Sequence, residues 1–362
     1  MAGGAADDLI EQAGSARSAP VESLRAVAAL AVLAGHVAVA APGAPGVSPV
    51  GRALVGGTFG VALFFALSGY LLYLPFARRD FGGGRRIDLP GYARNRALRV
   101  LPLYVVSVGA LLVVQHDGGS WSQWWRFLLL AENFSAATFG EVNAVLWSVV
   151  VEVHFYALLP LLALGIARFA GGSPETAAAG LCLLGAVSYG LYGLSDGVLW
   201  RSALPALLFF FVAGMLLALL HVAWDARRAA PVRLPQRAAT WLALSVPLWI
   251  AASWRHELAA LTAVAAFLTV GAAVLPLHGG RARAALAWRP LALVGVVSYS
   301  VYVWHLPIVE SAARGTGSAG GLLATALPLA LAAGAGSYLV IERPFLRLRR
   351  RWGATPGAGA AG

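Results

Sequence analysis

Lysine is absent from this chain of 362 residues, cysteine occurs once, and charged side chains make up only 12% of it. So little charge excludes a soluble globular protein, whose surface needs roughly 25% charged residues. An apolar share of 59% and a mean hydropathy of +0.73 exclude disorder as well. The lone Cys182 lies in an apolar run; it allows no intramolecular disulfide and no cysteine metal cluster, and reads as packing. Also missing are a Walker phosphate loop, a G-x-S-x-G elbow and an H-E-x-x-H zinc motif. The histidines fall on different apolar segments without metal-ligand spacing, so no metal is expected. What remains is a multi-pass membrane protein, all-α because lipid-facing backbone must satisfy its hydrogen bonds within its own segment.

With lysine missing, all 27 basic residues are arginines, and against 16 acids they leave a net charge of +11. In a soluble protein that balance points to nucleic acid. In a membrane protein basic residues collect in cytoplasmic loops, and no nucleic-acid partner is expected. Ten apolar segments can cross a bilayer: 24–41, 58–77, 98–114, 146–166, 178–195, 203–223, 240–254, 258–277, 291–311 and 322–341. With both termini cytoplasmic, 22 arginines fall inside and only Arg52, Arg126, Arg201, Arg255 and Arg314 fall outside. A missing or invented span would move every later loop to the other side and spoil this asymmetry. Residues 26–41, followed by Pro42, resemble a signal peptide, but Asp7, Asp8, Glu11 and Glu22 precede them and His36 interrupts them. The segment is therefore expected to remain as the first helix. The expected division is a cytoplasmic N-terminal segment 1–23, a transmembrane domain 24–345, and a basic then Gly/Ala-rich cytoplasmic tail 346–362. In the outer stretch 115–145, Trp121, Trp124, Trp125 and Phe127 read as an interfacial helix.

Ionisable groups inside spans are costly and mark a functional site by default. They are His36, Glu152, His154, His305 and Glu310, with Arg25 at the inner end of the first span. Arg25 and His36 are eleven residues apart, almost three helical turns, so both leave one face with His36 about 16 Å deeper. This stripe suits an anionic substrate whose charge stays at the mouth while its reactive end meets the imidazole. The bland alternative is a snorkelling arginine above a hydrogen-bonded core histidine. Seven arginines crowd residues 78–99, and Arg96 and Arg99 share a helical face. They either grip phosphates or anchor the protein to anionic lipid headgroups. Glu152 and His154 are two apart, hence on nearly opposite faces. Glu152 needs a cation or donors, whether its role is structural or catalytic. Ser298, Tyr302 and His305 form a polar stripe that must look into protein or water, as interhelical bonding or as a substrate-binding face.

In order along the chain, these segments resemble the acyltransferase family 3 of integral membrane O-acyltransferases. The matching stretches are Glu22-Ser23-Leu24-Arg25 through His36, Phe64-Phe65-Ala66-Leu67-Ser68-Gly69-Tyr70, and Arg96-Ala97-Leu98-Arg99 before Val100-Leu101-Pro102. Further matches are Trp147-Ser148 with Glu152 and Phe155-Tyr156, Ser298-Tyr299 through His305, and Ile341-Glu342-Arg343-Pro344. The resemblance implies a ten-helix protein that uses cytoplasmic acyl-CoA, with acetyl-CoA the expected donor, to acylate a hydroxyl of a carbohydrate or glycosylated metabolite. It carries over His36 as base or transient acyl carrier, Arg25, Arg96 and Arg99 as donor-binding, and Glu152 as a second catalytic position. Some relatives carry an extracytoplasmic hydrolase-like domain. Without one, transfer is expected to finish in the membrane domain or with a separate extracytoplasmic partner. The alternative class is a transporter or channel using the same buried ions as a permeation path.

Overall fold

The computed structural model describes residues 19–41, 58–115, 117–194, 196–226, 234–254, 256–278 and 280–353. Arg17, Arg52, Arg227, Arg228, Arg233 and Arg255 of the orientation count, and the tail from 354 to 362, lie outside these residues. Among the described residues the structure is helical throughout, with one isolated bridge between Arg237 and His278. The chain is an all-α polytopic membrane protein.

The first helix, α1 (Ala19–Ala40), begins five residues before the expected span. It is followed by α2 (Thr58–Phe81) and α3 (Leu89–Gln115). The stretch 78–99, expected as a loop, is thus mostly helix, and only residues 82–88 link α2 to α3. The surface helix α4 (Trp121–Leu128) is held by a capping box, Ser120 accepting from the Gln123 amide and the Gln123 side chain accepting from the Ser120 amide. Its Trp121 is largely exposed, as an interfacial helix requires. Then come α5 (Leu146–Ala170), α6 (Pro174–Gly193), the single turn α7 (Val198–Arg201) and α8 (Leu204–Asp225). The expected seventh and eighth spans are α9 (Ala238–Ala252) and α10 (Ala259–Val274), of 15 and 16 residues. Both are shorter than the roughly 20 residues that cross a bilayer unaided.

After α11 (Gly280–Leu286), the expected ninth span is not one helix. It breaks at Val297 into α12 (Arg289–Val296) and α13 (Ser298–Ala313), bent by 74°. Hydropathy is continuous across the break, so the apolar pattern carries no sign of it. The chain ends in α14 (Ala319–Ser337), a π turn over Tyr338–Glu342, and the basic helix α15 (Arg343–Gly353). Among the described residues seven helices are long and apolar enough to span a membrane, or eight if the bent pair counts as one.

The core is centred on α2 and α8, packed so closely that a side chain on Gly214 would overlap the Ala66 carbonyl, and one on Gly69 the Phe211 carbonyl. Without a hydrophobic drive between helices in lipid, small residues of this kind let backbones approach and gain dispersion contact. Helix α1 lies against α2, α12 and α13. The large apolar side chains Leu161, Leu164, Leu183 and Val187 of α5 and α6 stay exposed, as lipid-facing residues do.

Candidate active site

Arg25 and His36 project from one face of α1, yet they enter different cavities. The first, about 90 Å³, is lined by Arg25, Arg96, Arg99, Ser68, Glu152 and Tyr156 among others. Glu152 accepts a hydrogen bond from the Ser68 hydroxyl across the α5–α2 contact. His154 points the other way and stacks on Phe134, with ring centroids 5.6 Å apart, as its two-residue offset from Glu152 requires.

The three arginines differ in their partners. Arg99 Nη1 donates to Glu342 Oε2 at 3.0 Å, and Glu342 also accepts from Ser300 Oγ, so this guanidinium is tied into a buried cluster. The π turn at 338–342 directs Glu342 inward, a common use of such bulges. Arg25 stands 3.9 Å from Glu22. Arg96 Nε is buried without a hydrogen-bond partner among the described residues. Two of the three guanidinium groups are offset by carboxylates outside the lining, Arg99 by Glu342 and Arg25 by Glu22, which leaves Arg96 opposite the lining carboxylate of Glu152.

The second cavity, about 440 Å³, holds His36 in its wall with Trp147, Tyr192, Arg201, Ser202 and Ser253. Its size suits a small-molecule site. Arg201 is held by exposed Asp196 at 2.5 Å and lies 5.2 Å over the Tyr192 ring. Val61, Phe65 and Tyr302 line both cavities and form the partition between them. Tyr302 is pinned there by its hydroxyl, 2.6 Å from Ser148 Oγ and 3.2 Å from the Val145 carbonyl. A third cavity of about 370 Å³ adjoins the first, sharing Leu71, Leu72 and Arg96. The three stand in series, with Arg96 at one junction and Tyr302 at the other.

His305 lines none of them. It is fully buried on α13 behind His36, its Nε2 3.1 Å from His36 Nδ1. Glu310, further along α13, is exposed and takes no part. Among the described residues no three His, Cys, Asp or Glu side chains gather to hold a metal. Ser68, Tyr156, Trp147 and Glu342 lie in recognisable motifs, but only the three-dimensional arrangement gives them partners. Arg201 entered the sequence reading only as an outer arginine, and Tyr192 carried no signal.

A family model described as an acyltransferase domain matches residues 20–342. The chain belongs to acyltransferase family 3. This family assignment answers the transporter alternative in favour of an enzyme that moves acyl groups. The chain is similar to the protein named "Putative peptidoglycan O-acetyltransferase YrhL" of Bacillus subtilis (strain 168), 27% identical over 293 residues covering 70% of this chain. It spans 44% of that relative's length. It is also similar to the "Exopolysaccharide production protein ExoZ" of Rhizobium meliloti (strain 1021), 26% identical over 329 residues, 84% of this chain and 95% of that one. No solved structure matches this acyltransferase.

Proposed function

We propose that the protein is a membrane O-acyltransferase that moves an acyl group, acetyl by preference, from cytoplasmic acyl-CoA to a hydroxyl of a carbohydrate or glycosylated metabolite. The observation that carries this reading is the series of cavities, with Arg96, whose Nε has no partner among the described residues, at one junction and His36 beyond the next. With both termini cytoplasmic, the two cavities that share Arg96 open toward the acyl-CoA pool. Guanidinium groups bind phosphate through charge-assisted, often bidentate hydrogen bonds. Arg96 does so, with Arg25 beside it at 3.9 Å from Glu22, whereas Arg99, bound to Glu342, sets the shape and charge of the wall. The pantetheine arm extends past Ser68 and Glu152, and the thioester reaches His36 when the Tyr302 ring, which closes the partition in this structure, swings aside.

The acceptor sits in the larger cavity, where Trp147 and Tyr192 offer faces for a sugar ring and Ser202 and Ser253 offer hydroxyls. His36 takes the proton of the acceptor hydroxyl as its oxygen attacks the thioester carbonyl. The new C–O bond forms, the C–S bond breaks, and the proton passes to the departing thiolate. In this reading the acceptor is taken from the far side of the membrane; the names of the two relatives mention peptidoglycan and exopolysaccharide.

Purified protein given labelled acetyl-CoA and an oligosaccharide acceptor is expected to release CoA and label the acceptor, and His36→Ala at equal membrane abundance is expected to do neither. Retained transfer by His36→Ala contradicts the role assigned to the imidazole. Label held by the protein when acceptor is withheld identifies an acyl-imidazole instead of direct base catalysis.

A further inference from the structure

Two imidazoles meet at the centre of the molecule, and their partners settle which nitrogen carries each hydrogen. A backbone carbonyl only accepts, so a ring nitrogen facing one must be the donor. His305 Nδ1 lies 2.6 Å from the Tyr302 carbonyl and is therefore protonated, which leaves a lone pair on His305 Nε2. That lone pair faces His36 Nδ1 at 3.1 Å. His36 Nδ1 also lies 3.0 Å from the Val32 carbonyl, one turn back on α1, so it too carries hydrogen and shares it between Val32 and His305. Every assignment in this chain runs one way: His36 donates to His305, and His305 donates to Tyr302. The atom left over is His36 Nε2, unprotonated, on the ring that lines the larger cavity.

We propose that His305 is a positioning residue for acyl transfer, holding His36 in the Nδ1–H tautomer so that Nε2 is the base. This rests on the reading above that His36 takes the hydroxyl proton. As Nε2 gains that proton, positive charge spreads over the His36 ring and the Nδ1–H bond to His305 becomes charge-assisted and stronger. An interaction stronger in the transition state than in the ground state raises turnover without changing substrate binding. In serine hydrolase triads a carboxylate performs this orienting task. In the bilayer interior a carboxylate would be costly, and a neutral imidazole performs it without adding charge. The fold supports the arrangement, since His305 is 0% exposed, its neighbour Tyr302 is pinned to Ser148, and the His36 and His305 ring centroids are 5.0 Å apart.

The test compares His305→Gln, whose amide oxygen reaches the position of the lost Nε2 acceptor, with His305→Leu, which fills the space and accepts nothing. His305→Leu is expected to lower kcat by about 100-fold, within the range of general-base catalysis, with KM unchanged for acetyl-CoA and acceptor. His305→Gln is expected to stay within about 10-fold of the wild type. A purely structural role predicts instead that both variants fall together, with lost yield and raised KM. Nitrogen-15 spectra of histidine-labelled wild-type protein need no variant, and they are expected to show His36 protonated at Nδ1 and bare at Nε2. A His36 protonated at Nε2, or a His305→Leu enzyme with wild-type kcat, overturns the proposal. If His36→Ala is dead while His305→Leu is fully active, the base assignment stands and this inference alone fails. If His36→Ala is active, both fail.

Discussion

At the scale of single residues, the site separates groups that look equivalent in the sequence. Arg96 and Arg99 share a helical face, but only Arg99 has a buried carboxylate at hydrogen-bond distance. Removing one partner of a buried ion pair leaves the other charge unpaired and costs about 3–5 kcal/mol. Arg99→Ala and Glu342→Gln are therefore expected to lower the thermal unfolding temperature in detergent. Arg96→Ala is expected to leave that temperature unchanged and raise the acetyl-CoA KM about 10- to 100-fold, the loss of one charge-assisted contact. Kinetics and melting curves on the three variants check this, and unchanged KM in Arg96→Ala returns that residue to the lipid-anchor reading. Outside the spans, Glu132 is buried beside Tyr104, whose hydroxyl stands 3.2 Å away, and burial pushes its carboxyl up to about 8 from 4.5. An acid whose pKa is raised on folding favours the protonated native state, so its contribution to stability is present at low pH and is lost as pH rises from 4.5 through 8. The expected slope approaches about 1.4 kcal/mol per pH unit within that window. Glu132→Gln is expected to flatten it, which melting curves between pH 5 and about 9 would show.

At the scale of helices, the Arg25–His36 stripe was legible because eleven residues on a regular helix allow one answer, and the opposed faces of Glu152 and His154 followed from the same rule. The pairing of His36 with His305 was not legible, since periodicity says which face of a helix is polar but not which helix 269 residues away will meet it. The bend at Val297 was hidden for a different reason, as both arms are apolar and the one small residue near the joint, Gly295, reads equally well as a close helix contact. Close packing leaves a sharper trace. Gly214 sits where α8 crosses α2, and a Cβ there would overlap main-chain atoms that cannot rotate away. Gly214→Leu is expected to abolish folded expression. Gly190→Leu on α6, where nothing lies within 4 Å, is expected to match the wild type. Size-exclusion profiles of the two proteins in detergent distinguish these outcomes, and a monodisperse Gly214→Leu peak would show that the crossing tolerates separation.

At the scale of the whole molecule, the arginine excess, the apolar spans and the cavities fit the arrangement proposed above, an arginine-lined entrance at one face and an imidazole facing the other. Composition reached the membrane and the all-α class; the partition at Tyr302 needed three dimensions, because its walls come from α2 and α13. The central claim is that the donor enters from the Arg96 side while the acceptor is acylated from the His36 side. Sealed vesicles holding the protein in one orientation, with labelled acetyl-CoA confined to the face bearing the α2–α3 link and oligosaccharide confined to the opposite face, test it directly. The account predicts that the oligosaccharide becomes labelled across the intact bilayer and that His36→Ala vesicles give no label. Labelling that occurs only when donor and acceptor share a face would contradict it.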